Sequence, residues 1–320
     1  MARIFGLIYL NTAAIDSIFA DMSLVEMKIE DGVSFIEMRN PQKLNCLSHD
    51  LCNELIKALV ESYAKECKVV VVGATTKNRV WSAGHDIREL PLDKTDPLEY
   101  SVPMEKLLRT VQNLPIPVIA YVDGTVWGGA CDFCLSCDMI VASEDSTFAI
   151  TPAKIGIPYN ASGIMHFINQ LGINKAREMF FTANPISAQD ALNVGLLNHI
   201  APADKLRDML EEKFLAPIRR NSILSISAIK RQFRTLSMAM SKLSAEDFER
   251  IEAWRSRVYH SEDYAEGIKS FIEKRPPNFK GKASDVDLFG EDVGELSNFF
   301  ARKVPLGKSC ADKKASKRSF

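Results

Sequence analysis

Val69-Val-Val-Val-Gly73 and Pro117-Val-Ile-Ala-Tyr-Val122 are the stretches that most narrow what this chain can fold into. Each is a short apolar run rich in β-branched residues, and each predicts a buried strand. Each also runs on into a loop marked by glycine. After the first comes Val80-Trp-Ser-Ala-Gly-His-Asp-Ile87, and after the second Asp123-Gly-Thr-Val-Trp-Gly-Gly-Ala-Cys-Asp132. Ala130–Cys137 then predicts a helix, so Gly128 and Gly129 stand where a strand hands over to a helix. There the first N–H groups lack internal partners and the helix dipole presents its positive end. Adjacent glycines let a ligand approach the backbone without meeting a Cβ. Gly84, just before His85, implies a second outward-facing N–H. Two strand-end loops, each offering a backbone N–H, are what a two-donor oxyanion hole requires. A tight turn whose glycines serve packing alone is the competing reading of Gly128-Gly129.

The remaining pattern is strands alternating with helices early and helices alone late. Val25–Ile29, Asp31-Gly32 and Val33–Met38 predict a hairpin with a two-residue turn. Ser48 caps a helix to about Glu66 with Leu51, Leu55, Ala58 and Leu59 on its buried face. A helix near 98–112 is stopped by Pro115 and Pro117. Short strands follow at 139–142, 147–150 and 197–200. Helices are predicted at 162–170, 173–182, 187–193, 203–216, 221–242, 245–258 and 261–274. This order predicts an α/β spiral core capped by helices.

Charge and cysteine usage exclude other classes. A net charge of −1 gives no general reason to bind nucleic acid or anionic lipid. No apolar run approaches the ~18 residues of a membrane span. The 7 cysteines, an odd number, fit reduced thiols in a cytoplasm. Cys131, Cys134 and Cys137 share spacing with an iron–sulfur run, but Val141 stands where a fourth ligand would be needed. They are therefore expected as buried thiols on one helix face. No histidine pair shows zinc-ligand spacing, and His49, His166, His199 and His260 read as solvated or structural. Residues 1–22 are expected to be an N-terminal extension, with a transit peptide or a true start at Met22 as alternatives. Residues 283–320, acidic and then basic, predict a disordered tail.

Ser82-Ala-Gly-His-Asp86 and Trp127-Gly-Gly-Ala-Cys-Asp132 together resemble the paired signatures of the crotonase (enoyl-CoA hydratase/isomerase) superfamily, over about Ser23 to Lys282. The resemblance implies a ββα-repeat spiral core at 23–215 and a C-terminal helical trimerisation region at 216–282, with trimers pairing into hexamers. It implies that the N–H groups of His85 and Gly129 hold the thioester carbonyl oxygen of an acyl-CoA. Lys43-Leu44, with the backbone near Ala83 and Gly84, resembles the family's adenine-binding segment. Phe279 and Lys282 are expected to reach a neighbouring subunit's CoA phosphates, with ordinary surface as the other reading.

Side chains beside the donors decide the reaction. A hydratase needs two carboxylates around a water molecule. Asp132 occupies the first position of the family pattern. The region of the second reads Phe148-Ala-Ile-Thr-Pro-Ala-Lys-Ile-Gly156, with Pro152 where a Glu is expected. In finer detail, Ser82–Pro91, Ile157–Asn160, Phe181–Ile186 and Ser261–Tyr264 resemble the methylmalonyl-CoA-decarboxylating subgroup, with Asp132 shorter than the Glu expected there. That resemblance implies that His85 and Tyr159 orient a carboxylate while the oxyanion hole holds an enolate; a core tyrosine is the alternative for Tyr159. Such chemistry needs no metal, biotin or nicotinamide cofactor. The rivals are a hydratase or isomerase using Asp132 and a catalytically silent CoA-binding scaffold.

Overall fold

In a computed structural model, the residues described are 23–91, 102–239 and 245–281. The chain up to Phe279 forms one contact unit; of the second, which starts at Lys280, only Lys280 and Gly281 are described. The tail, residues 1–22, Cys310 and Lys282 lie outside the described residues.

Strands β1 (Val25–Glu30) and β2 (Val33–Met38) form the antiparallel hairpin. Asp31 and Gly32 both sit at positive φ (47° and 74°), the turn geometry that matches the twist of paired strands. Helix α1 (His49–Ala64) starts where the Ser48 hydroxyl accepts from the Leu51 N–H, and it buries the four apolar residues expected. The chain then repeats one unit. β3 (Val69–Ala74), β4 (Val80–Ser82) and α2 (Pro103–Asn113) are followed by β5 (Val118–Val122), β6 (Thr125–Trp127) and α3 (Gly129–Ser136). β7 (Met139–Ser143), β8 (Thr147–Ala149) and α4 (Ala161–Thr182) complete the series. Next come β9 (Ile186–Ser187), α5 (Ala188–Asn193) and β10 (His199–Ala201).

Among the described residues, the strands form a sheet in the order β1-β2-β3-β5-β7-β10 and a smaller one in the order β4-β6-β8-β9. In each repeat the first strand enters the large sheet, the second enters the small one, and a helix returns. That is the ββα spiral that the family resemblance implies. Apart from the antiparallel pairs β1·β2 and β8·β9, neighbours run parallel.

The all-apolar strand at Val69 is explained by burial on both faces. Val70 and Val72 join the core shared by α1, α2 and α3; Val69 and Val71 pack with Leu206, Leu210 and Leu215 on the opposite side. Burying each such side chain contributes about 1.5–3 kcal/mol. Helix α3 goes further than its predicted one-sided burial, because all eight of its residues are buried. Cys131, Cys134 and Cys137 are free thiols whose pKa values burial pushes well above 9.

Three predicted helices differ in detail. The described part of the helix near 98–112 starts at Pro103, and 98–101 lie outside the described residues. The pair 162–170 and 173–182 is α4, broken at Gly172, whose φ of 71° is non-helical. The single helix expected at 203–216 is α6 (Leu206–Leu210), a π-turn at Glu211–Leu215, and α7 (Ala216–Arg220). Pro217 has no N–H to offer the preceding turn, which favours the wider winding there.

Helix α8 (Ile223–Ala239) is tied to the core by Lys230, whose Nζ donates to Val111 O, Ile116 O and Asp138 Oδ2 at 3.1, 3.0 and 2.7 Å. Helices α9 (Ala245–Tyr259) and α10 (Glu262–Ile272) place Tyr259, Tyr264 and Ile268 against Leu90, just beyond the His85 loop. Among the described residues, no helix is long and apolar enough to cross a membrane.

Candidate active site

A cavity with about 590 Å³ of empty space, part of it open to solvent, lies between the His85 loop, the start of α3 and the segment around Tyr159. One wall is backbone. Gly84 has φ 83°, and a Cβ there would press on Trp127 O and lie 3.0 Å from Gly129 N. A Cβ on Gly129 would meet the end of the Met104 side chain and lie 3.5 Å from His85 N. The His85 and Gly129 amides are therefore neighbours, and glycine is what allows the approach. Gly128 (φ 53°) turns its own N–H to Ala149 O at 2.8 Å, which leaves Gly129 as the first residue of α3. Among the described residues, neither the His85 nor the Gly129 N–H donates to the protein. Two such donors side by side can hold an oxygen that gains negative charge.

A second layer fixes this wall. Leu44 and Asn45 adopt left-handed φ of 54° and 47°. Ala83 N donates to Leu44 O at 2.9 Å, Leu47 N to Gly84 O at 2.8 Å and Ser82 Oγ to Asn45 O at 2.7 Å. Buried Asn45 returns two bonds through Nδ2, to Thr75 O at 2.9 Å and Trp81 O at 3.0 Å. Lys43 and Leu44 thus border the Ala83–Gly84 strand end without lining the cavity; Lys43 itself is exposed. Phe279 rests against Gly156 of the same chain, away from the cavity lining. Asp86 caps the 3₁₀ turn at Ile87–Glu89 and pairs with Arg88 at 2.6 Å, which is a structural role.

The His85 side chain lines the cavity. Burial, then the nearby His49, lower its pKa to about 4, so the ring is neutral at physiological pH. Its Nδ1 is buried without a hydrogen-bond partner. Among the described residues, His49, His85 and Glu89 form the one group able to hold a metal ion, with ligand atoms within 4.8 Å of one another. Linear spacing gave no sign of that proximity. His49 N already donates to Glu89 Oε2 at 2.9 Å.

The opposite wall carries carboxylates. Asp132 is 1% exposed, and both of its oxygens are engaged. The Tyr159 hydroxyl donates to Oδ2 at 3.1 Å, and His166 Nδ1 meets Oδ1 at 2.6 Å. Gly163 makes room for this approach, since a Cβ there would lie 2.7 Å from Asp132 Oδ2. A chain of contacts fixes the imidazole. Arg234 Nη1 donates to Gln112 Oε1 at 2.9 Å, which turns the Gln112 amide nitrogen toward His166 Nε2 at 2.8 Å. In that orientation Nε2 accepts and Nδ1–H donates to Asp132. Burial opposes a charge on His166, but the hydrogen bond and negative charge of Asp132 prevail and raise its pKa. Burial, reinforced by Asp132, raises the Tyr159 pKa well above 10. The Tyr159 ring packs edge-on against Phe180 at 5.2 Å.

Glu105 also lines the cavity, from the first turn of α2. It is 8% exposed and accepts a 2.7 Å hydrogen bond from Asn160 Nδ2. Burial and then the charge of Asp132 raise its pKa to about 7.

The structure thus brings together His85, Gly129, Asp132, Tyr159, Ala83 and, behind the amides, Gly84. Two participants were not anticipated. His166 was expected to be solvated or structural in a general sense, yet it is bonded to Asp132. Glu105 had one available signal: it shares the apolar face of Met104, Leu107, Leu108 and Val111. The expectation that Pro152 leaves the cavity with a single carboxylate is also corrected. Pro152 does line it, but Glu105 supplies a second acid from another element.

Residues 28–282 match the family described as Enoyl-CoA hydratase/isomerase. The chain is 41% identical over 249 residues to methylmalonyl-CoA decarboxylase of Escherichia coli (strain K12), covering 78% of this chain and 95% of that one. It is 31% identical over 261 residues to the mitochondrial enoyl-CoA hydratase domain-containing protein 3 of Danio rerio, covering 80% and 87%. A solved structure of methylmalonyl-CoA decarboxylase in complex with 2-nitronate-propionyl-CoA superposes with a TM-score of 0.78 at 40% identity, covering 81% of this chain and 99% of that chain.

Proposed function

Because the chain belongs to the enoyl-CoA hydratase/isomerase family, we propose that it decarboxylates methylmalonyl-CoA to propionyl-CoA through a thioester enolate held by the His85 and Gly129 amides. The observation that carries this reading is the character of the cavity: among the described residues no Lys or Arg lines it, while the neutral His85 side chain does. Decarboxylation needs the carboxylate held perpendicular to the thioester plane, so that the breaking bond overlaps the carbonyl π system. A strong cation on that carboxylate would stabilise the ground state and slow the reaction. A neutral donor orients it without that cost. As CO₂ leaves, negative charge collects on the thioester oxygen, where two preorganised N–H groups stabilise it.

In this reading Lys43, Leu44 and the Ala83–Gly84 backbone are the CoA-binding segment, and Phe279 and Lys282 serve the phosphates of a neighbouring subunit's CoA. Self-association as a trimer or hexamer is part of the reading. Leu224, Phe233 and Leu236 on α8 are 81%, 70% and 62% exposed, which gives that helix apolar surface to cover. Tyr159 enters the reaction only after exchanging its hydrogen bond to Asp132 for one to substrate.

A second reading, hydration or isomerisation of an enoyl-CoA, is favoured by one observation: Asp132 and Glu105 both line the cavity. The two separate when the purified protein is incubated in turn with methylmalonyl-CoA, malonyl-CoA and crotonyl-CoA and the products are identified by mass. Propionyl-CoA formation with negligible crotonyl-CoA hydration is expected. Comparable turnover of crotonyl-CoA would sink the decarboxylase assignment.

A further inference from the structure

Losing CO₂ leaves an enolate whose α-carbon must gain a proton, and the groups around the cavity differ in their ability to give one. His85 is neutral, and its pKa of about 4 is that of a ring with no readily held second proton. The Tyr159 hydroxyl is committed to Asp132, and giving up its proton would set a phenolate beside that carboxylate. Asp132 is occupied on both oxygens.

Glu105 differs on each count. Its helix starts against the Gly129 donor, where Met104, the preceding residue, fills the space beside the Gly129 α-carbon. Its orientation is fixed by Asn160, whose Oδ1 accepts from Gly163 N at 2.8 Å while its Nδ2 donates to Glu105 Oε1. The charged and titratable groups facing it are Asp132 on α3, His166 on α4, Arg109 one turn along its own helix, and Tyr159. Burial and Asp132 hold a proton on Glu105 near neutrality, against the pull of Asn160, Arg109 and His166.

Resting on the enolate chemistry proposed above, we propose that Glu105 is a catalytic residue, the general acid that protonates the α-carbon of the thioester enolate. The bond from the α-carbon to the carboxylate breaks first; its electron pair enters the enolate and CO₂ departs. The Glu105 O–H bond then breaks, its electrons stay on oxygen, and a C–H bond forms as the carbonyl returns. Asn160 stabilises the resulting carboxylate, and one proton from water restores the acid each turnover. Asp132 and its Tyr159–His166 cage position that acid by keeping a negative charge beside it.

The test is turnover in D₂O. Wild-type protein should give propionyl-CoA deuterated on one face of the α-carbon, with kcat falling as pH rises through about 7. Glu105→Gln, which keeps an acceptor for Asn160, should lower kcat roughly 10²-fold, abolish that pH limb and give deuterium on both faces. Glu105→Asp should recover part of the stereospecificity. Unchanged stereospecificity and pH profile in Glu105→Gln would overturn the assignment. Exchange of the α-hydrogens of propionyl-CoA in D₂O reads the same acid without decarboxylation. Wild-type protein that catalyses the exchange but leaves methylmalonyl-CoA intact would defeat the decarboxylase reading, while loss of exchange in Glu105→Gln would still support Glu105. Equal exchange in both proteins would defeat Glu105 alone, and no exchange in either would defeat the enolate site and Glu105 together.

Discussion

The two walls of the cavity are built from different materials. The oxyanion wall is main chain: two amides set by glycines at strand ends and clamped by the Lys43–Leu47 segment. The carboxylate wall is side chain: Asp132, Tyr159, His166, Glu105 and Asn160, drawn from three helices and the segment before α4 and joined by hydrogen bonds. A backbone donor cannot titrate and can be removed only by distorting the chain, so that wall should act alike on every thioester. The opposite wall couples titratable groups, so it should set which reaction runs and at what pH.

The largest effect should come from breaking the first wall. Gly129→Pro removes one donor and should cost at least about 10²–10³ in rate, roughly 2.7–4 kcal/mol, for any thioester tested. A loss confined to methylmalonyl-CoA, measured against α-hydrogen exchange in propionyl-CoA, would show that the walls do not divide the work this way. Next, His166→Ala frees Asp132 Oδ1 and should lower kcat by about tenfold with little change in KM. His166→Asn, which can still donate to Asp132, should restore much of it. Equal losses in the two variants would remove the Asp132 hydrogen bond as the cause. Tyr159→Phe keeps the ring packing and should leave the Kd for propionyl-CoA nearly unchanged while decarboxylation falls; an unchanged rate would leave His85 as the orienting group.

A stability measurement isolates the second wall without any substrate. The folded pKa of Glu105, about 7, lies above its ordinary value of 4.5. Between those values the folded protein holds the extra proton, so stability is lost as pH rises through that window. The loss amounts to about 3 kcal/mol. Glu105→Gln should therefore gain stability over wild type at pH 8 compared with pH 4.5, read by denaturant unfolding; a pH-independent difference would contradict a buried acid. The smallest effect is expected from deleting residues 284–320. Every described residue lining the cavity lies at or before Tyr159, so kcat should barely change.

The walls also differ in how far they could be read in advance. Gly84 and His85, like Gly128 and Gly129, stand in the loops that follow the two β-branched strands. An outward-facing amide in each loop was therefore legible from local pattern, and the family resemblance implied which residues carry it. The first strand of each unit was legible for the same reason, since burial on both faces leaves an unbroken apolar run at Val69–Val72. The ββα repeat itself was what the family resemblance implied, because the short second strands at Val80–Ser82 and Thr125–Trp127 carry no such run. The π-turn before Pro217 was not, because proline forbids one backbone bond without specifying how the neighbouring turn compensates. Lys282 and the tail lie outside the described residues.

By itself, the sequence determined where the strands end, where glycine frees an amide, and which acid follows the Gly-Gly turn. Only the tertiary structure decided what surrounds that acid. Glu105, Asp132, Tyr159 and His166 come from separate elements, and no periodicity links them. A charged residue on an apolar helix face reads as an exception until the fold shows what it faces. Burial, neighbouring charge and hydrogen-bond direction are properties of packed space, and they turn Glu105 from a surface-type residue into an acid poised near neutrality.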